Sequence, residues 1–168
     1  MDIPRFERAK INTRLGFADP GDAFQEFVYD AVQRDFPGLI RFKTSGKDGV
    51  IDQCQTGDTR AVFECKYLGA DEWSEVESRW REVADTLERN LNASSGPPKG
   101  QAQYGPWFRT DVPMRTFAFC VNAEPPSPDR ADKLDATIRA FFNRLGTAHS
   151  HLAHLRELTV HIFHWSRL

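Results

Sequence analysis

Asp52, Glu64 and Lys66 are the residues of this chain whose types and spacing suit chemistry. They lie within the stretch Lys47–Lys66. Asp52 falls in a β-rich run, Val50–Gln55, and Glu64 and Lys66 fall in a second, Arg60–Leu68. Thr56-Gly57-Asp58-Thr59 separates the two runs. A Gly-Asp tip between alternating apolar residues signals a hairpin. Side chains alternate along a strand, so Glu64 and Lys66 share a face and Cys65 takes the other. Asp52 joins them only where it stands opposite Glu64, which requires a loop of odd length. The expected loop is Gly57, Asp58 and Thr59, with Thr56 facing Arg60. A loop one residue shorter would turn Asp52 to the wrong face. Directly opposed residues place their Cβ atoms roughly 5 Å apart.

Two carboxylates at that separation repel unless a cation lies between them. Mg²⁺ prefers oxygen ligands and keeps one or two carboxylates together with waters and a substrate phosphate. Lys66, one strand step beyond Glu64, is placed to hold a water or to face the phosphate. Hydrolysis of a phosphodiester uses these parts: an activated water, a charge clamp and a stabilised leaving oxygen. The structural alternative is a solvated polar face on an edge hairpin, with Glu64 and Lys66 weakly paired.

At these positions the chain resembles the PD-(D/E)xK nucleases. Their pattern is an Asp at the start of one strand and Glu-x-Lys in the next, here Gly49-Val50-Ile51-Asp52 and Glu64-Cys65-Lys66. The run Gly46-Lys47-Asp48-Gly49-Val50-Ile51-Asp52 looks most like the Mrr-type branch. That branch includes nuclease domains at the N-termini of bacterial antiviral STAND (Avs-like) NTPases. The resemblance is firmest over residues 20 to 90. It implies an α/β fold: a restriction-endonuclease-like α/β/α sandwich around a mixed sheet of about five strands. It further implies a Mg²⁺-dependent DNA endonuclease, with Mn²⁺ able to substitute. Asp52 and Glu64 would bind the metal, joined by the Cys65 backbone carbonyl, and Lys66 would orient the attacking water. The implied role is the effector of an antiphage system. Self-association would accompany activity, and C-terminal regulatory NTPase domains would follow in a longer protein. A non-catalytic DNA-binding or oligomerisation module of the same fold, or a nuclease acting on RNA, are the alternatives.

The helix before the hairpin bears on the same site. Asp19-Pro20-Gly21-Asp22 is a helix-start signal, and Phe36-Pro37-Gly38 is a stop. Phe24, Phe27, Val28, Ala31 and Val32 form one apolar face. In the family a carboxylate on this helix often completes the metal site, commonly a Glu directly after the first core Phe. Here that position is Gln25. At about 100° per residue, Gln25 flanks the apolar stripe and Glu26 points nearly opposite. Gln25 is therefore expected beside the site and Glu26 in solvent. Asp48 is a weaker metal candidate, since it sits in the turn before Gly49.

Composition bounds the rest. The chain has 168 residues, 40% hydrophobic and 27% charged, with a formal net charge of −2. This size suits one domain with one core. The charge is not that of a DNA-coating protein, so nucleic-acid contact must come from a local patch. No run of about 18 apolar residues suggests a membrane span, and Met1-Asp2-Ile3-Pro4-Arg5 does not open a signal peptide, so a cytoplasmic protein is expected. The 3 cysteines have neither zinc-knuckle nor disulfide spacing. The chain stops soon after its last expected strand, as a module of a larger protein would.

Residues 1–19, with Arg5, Arg8, Lys10 and Arg14, read as a helix or arm that is either solvated or touches phosphate. Leu39–Lys43 reads as a first strand. Asp71–Leu91 reads as a long helix, with Trp73, Val76, Trp80, Val83, Leu87 and Leu91 as its buried stripe. Residues 92–114 read as a long irregular loop. Its Lys99, Tyr104, Trp107 and Arg109 suit either DNA contact or self-association, or a cover for the sheet edge. Arg115–Val121 and Leu158–Trp165 read as strands around a helix with Leu134, Ile138, Phe141, Phe142 and Leu145 inward and Gly146 at its end. All 5 histidines fall between His149 and His164, without a Cys or acidic partner at zinc-ligand spacing.

Overall fold

The computed structural model describes residues 19–42, 49–55, 60–68, 72–92, 95–164 and 167–168. The expected arm at 1–19, apart from Asp19, together with Lys47, Asp48 and the hairpin tip at 56–59, lies outside these residues. The described chain is an α/β/α sandwich around one five-stranded mixed sheet. Its elements are α1 (Pro20–Val32), β1 (Leu39–Arg41), β2 (Gln53–Gln55), β3 (Arg60–Lys66), α2 (Trp73–Leu91), β4 (Met114–Val121), α3 (Pro128–Ala148) and β5 (Thr159–Phe163). Two 3₁₀ segments, Ala102–Phe108 and Ser150–Glu157, complete it. No described helix is long and apolar enough to cross a membrane.

The strands lie in the order β1-β2-β3-β4-β5. β1, β2 and β3 are antiparallel neighbours, and β3, β4 and β5 run parallel. Parallel neighbours need a crossover connection, and α2 and α3 supply the two required here. β4 lies centrally with both faces covered, which explains its nearly continuous apolar run Phe117–Val121.

Alternation sorts the two faces. Ala61, Phe63, Cys65, Ala118 and Cys120 meet Phe24, Val28 and Val32 of α1. Val62, Phe117, Phe119 and Val121 meet α2 and α3 on the other side. There Trp80 is ringed by Phe117, Phe119, Phe141 and Phe142, with ring centroids 5.4–6.2 Å away. The six expected stripe residues of α2 are its buried residues.

α1 begins where the sequence signals it. The Asp19 carboxylate accepts from the Gly21 and Asp22 N–H groups, and Pro20 occupies the first turn, where its missing N–H costs nothing. Glu26 corrects an expectation. It is not in solvent but half-buried, paired with Arg41 of β1 at 2.7 Å. Gly146 also differs: α3 continues through it to Ala148. A Cβ at Gly146 would come within 2.9 Å of the Leu152 carbonyl oxygen, so this glycine lets the second 3₁₀ segment pack against the helix.

The loop after α2 differs most. It contains the 3₁₀ strap Ala102–Phe108, whose Trp107 is fully buried and stacked on Phe142 at 5.9 Å. Tyr104 is buried as well, and Arg109 pairs with Asp111. Both aromatics are thus buried in the core, a role that neither surface contact nor a cover for the sheet edge describes.

Candidate active site

The β2–β3 register is that of an odd-length loop. Cys54 stands opposite Val62 and Gln53 opposite Phe63. Continuing the count brings Asp52 to the level of Glu64. Ahead of β2, however, the chain leaves the ladder. The Asp52 N–H donates to the Phe63 carbonyl at 2.9 Å, although Phe63 is the register partner of Gln53. Two residues against one is the geometry of a bulge, which re-aims a side chain.

The Asp52 carboxylate is aimed accordingly. Its Oδ2 accepts the Cys65 backbone N–H at 2.6 Å, and its Oδ1 accepts from Gln25 Nε2 at 2.8 Å. The first contact fills a gap in the sheet, since the β2 ladder ends at Gln53 and offers Cys65 no carbonyl. The second comes from α1, which the buried Gln53 side chain ties down by donating to the Gln25 carbonyl at 2.7 Å. Gln25 is itself buried, so the structure places it beside Asp52.

Glu64 and Lys66 face away from the Cys65 side chain, as alternation along β3 requires. Their side chains form an ion pair, with Glu64 buried and Lys66 reaching outward. Both line a cleft of about 470 Å³ between β3, α2 and the 3₁₀ strap. Asp52 and Glu64 both stand beside Cys65: the first accepts its backbone N–H, and the fields of both reach its thiol. They stand at 3% and 2% exposure, so both are withdrawn from bulk water. Burial pushes the Cys65 thiol well above the usual range. Cys120 adds to this, followed by the fields of Asp52 and Glu64.

Among the described residues no group of three or more His, Cys, Asp and Glu is arranged to hold a metal. A structural zinc site needs four such ligands and thiolate or imidazole donors. The Cys65 thiol stays protonated, and the described His154 and His161 lie with the second 3₁₀ segment and β5, away from the cleft lining. What Asp52, Glu64 and the Cys65 carbonyl offer is hard oxygen. That set suits Mg²⁺, which takes one or two carboxylates and keeps its waters.

Sequence reasoning missed several residues here. Glu82 and Thr86 line the cleft from α2. They are four apart and flank Val83 on the buried stripe, so the helical repeat carried the signal. Gln101 and Gln103 line the cleft beside Tyr104, which the sequence did single out, and no periodicity marks the two glutamines. Asn122 locks the end of β3: its Oδ1 accepts from the Leu68 N–H at 2.6 Å and its Nδ2 donates to the Leu68 carbonyl at 2.9 Å. Comparison with protein-family models, curated proteins and solved structures finds no match to this chain.

Proposed function

We propose that this chain is a Mg²⁺-dependent nuclease domain that hydrolyses DNA phosphodiesters, with Mn²⁺ as a substitute ion. One observation carries the reading. Two buried carboxylates, Asp52 and Glu64, flank one backbone position, Cys65, and a lysine two residues from Glu64 opens into a cleft. Burying two carboxylates costs stability that apolar residues would not, and the cleft beside Lys66 gives the arrangement a use.

Asp52, Glu64 and the Cys65 carbonyl would hold the ion, which when bound would supply an activated water and neutralise charge on the phosphate. Gln25 and the Cys65 N–H fix the Asp52 carboxylate in one orientation. Lys66 offsets the Glu64 charge in the free protein. With a phosphate in the cleft, its ammonium is placed to orient the water and stabilise the charge that develops on the phosphoryl oxygens. Among described residues the cleft lining carries Glu64 and Glu82 against Lys66. A polyanion would meet little attraction there without a cation, which favours a metal-dependent enzyme over a passive DNA-binding module.

The family resemblance extends the proposal to an effector of bacterial antiphage defence. Such an effector is cytoplasmic, controlled by C-terminal NTPase domains and active when copies assemble. Calorimetric titration with Mn²⁺ tests the metal site. The expected result is saturable binding that weakens at least about tenfold in Asp52→Asn and in Glu64→Gln. Wild-type protein without saturable binding would remove the basis of the proposal.

A further inference from the structure

The turn that leads into Asp52 is strained and held from outside. Gly49 and Val50 both have positive φ, 71° and 64°, and Val50 is the one described non-glycine residue that does. A β-branched residue adopts this conformation only where its surroundings impose it. The imposing element is the 3₁₀ strap. The Trp107 indole N–H donates to the Gly49 carbonyl at 2.9 Å across 58 residues of sequence. A Cβ built on Gly49 would lie 2.3 Å from the Gln103 carbonyl oxygen, so the strap's backbone sits directly on the turn. The strap is anchored in turn: Trp107 is stacked on Phe142 of α3, and a ring nitrogen of His154 lies 3.0 Å from the Trp107 carbonyl.

We propose that Trp107 is a positioning residue: through the Gly49 carbonyl it fixes the Gly49–Val50 turn and so sets where the Asp52 carboxylate stands. Its importance for metal binding rests on the function proposed above, but the positioning itself does not. The Cys65 amide reports it directly, because its hydrogen bond goes to Asp52 Oδ2. Trp107→Phe removes the indole donor and keeps an aromatic ring in the core. Gly49→Ala keeps the indole and displaces the turn from the strap.

The test is residue-resolved amide hydrogen exchange of the metal-free 168-residue chain. The Cys65 amide is expected to exchange at least about tenfold faster in both variants, with β4 amides such as Phe119 unchanged. Uniform acceleration in both variants, or an unchanged Cys65 amide in both, would overturn the positioning role. Should Trp107→Phe loosen the whole core, Gly49→Ala decides. The same samples are expected to take Mn²⁺ about tenfold more weakly than wild type. If wild type takes none, the metal-site reading fails while the Cys65 amide still decides the clamp.

Discussion

Gln25 Nε2 donates to Asp52 Oδ1 at 2.8 Å, and both residues are buried. With the Gln53 bond to the Gln25 carbonyl, it joins α1 to the hairpin, and it gives the Asp52 carboxylate a neutral donor where a second carboxylate would repel it. Gln25→Leu should destabilise the protein by about 1–3 kcal/mol, the usual cost of leaving a buried acceptor without its donor. Gln25→Glu should destabilise the metal-free protein by a similar amount through like-charge repulsion. Saturating Mg²⁺ should restore Gln25→Glu, because a ligand that binds only the native state stabilises it. Urea denaturation with and without Mg²⁺ measures both. Equal stability of the two variants in Mg²⁺ would count against an ion beside Asp52.

Trp80 is the second pressure point. It touches four phenylalanines from β4 and α3, and it is 3% exposed. Trp80→Ala should cost about 3–5 kcal/mol, the range for truncating a large buried aromatic. A loss below about 1 kcal/mol in the same denaturation assay would mean that this core is not packed as described.

Gly146→Ala should reverse the usual helix preference. In an open helix interior alanine is favoured by about 1 kcal/mol. At Gly146 the new Cβ would meet Arg156 Cγ at 2.7 Å and the Leu152 carbonyl oxygen at 2.9 Å. Cγ lies near the base of the arginine side chain, and the Leu152 carbonyl and the Arg156 backbone N, 3.1 Å away, belong to the packed 3₁₀ segment. The expected net effect is a destabilisation of about 1–3 kcal/mol, and a rise in melting temperature would contradict it.

These positions show how far the sequence could be read. The α2 stripe was legible residue for residue because burial on one helix face imposes a 3.6-residue repeat. The hairpin register was legible because it follows from strand parity. Asp52 was legible as a residue, and its level beside Glu64 followed from the same register. The bulge ahead of β2 was not legible, because it depends on the turn that enters the strand. The strap was missed because a 3₁₀ turn carries no amphipathic repeat, so Trp107 read equally well as a surface aromatic. Gly146 looked like a helix stop because its role is set by a neighbour that packs on it, which local sequence does not encode.

Acid should weaken the fold through its histidines. Burial pushes the pKa of His154 below the ordinary value, with Arg115 and His151 adding to this against the pull of the Trp107 carbonyl. Burial lowers His161 as well, helped by Arg139. The folded state thus binds these protons less tightly than the unfolded chain. Their contribution is complete above the unfolded value of about 6.5 and is lost as pH falls through the folded values. Urea midpoints taken from about pH 8 to pH 5 should decline on the acid side, and His154→Gln should flatten that decline. Identical pH dependence in wild type and variant would contradict the assignment.

In the function proposed above, Asp52, Glu64 and Lys66 serve a metal-dependent phosphodiesterase. Incubation of supercoiled plasmid with wild type, Glu64→Ala and Lys66→Ala in Mg²⁺, Mn²⁺ or chelator, over a range of protein concentrations, tests it most directly. The account predicts nicking or linearisation by wild type that needs the ion. The rate should fall at least about a hundredfold in each variant while the melting transition stays cooperative. A steep dependence on protein concentration would accord with activity in the assembled state. Cleavage that survives in folded Lys66→Ala or in chelator would contradict the account, as would wild-type protein that leaves the plasmid intact at every concentration.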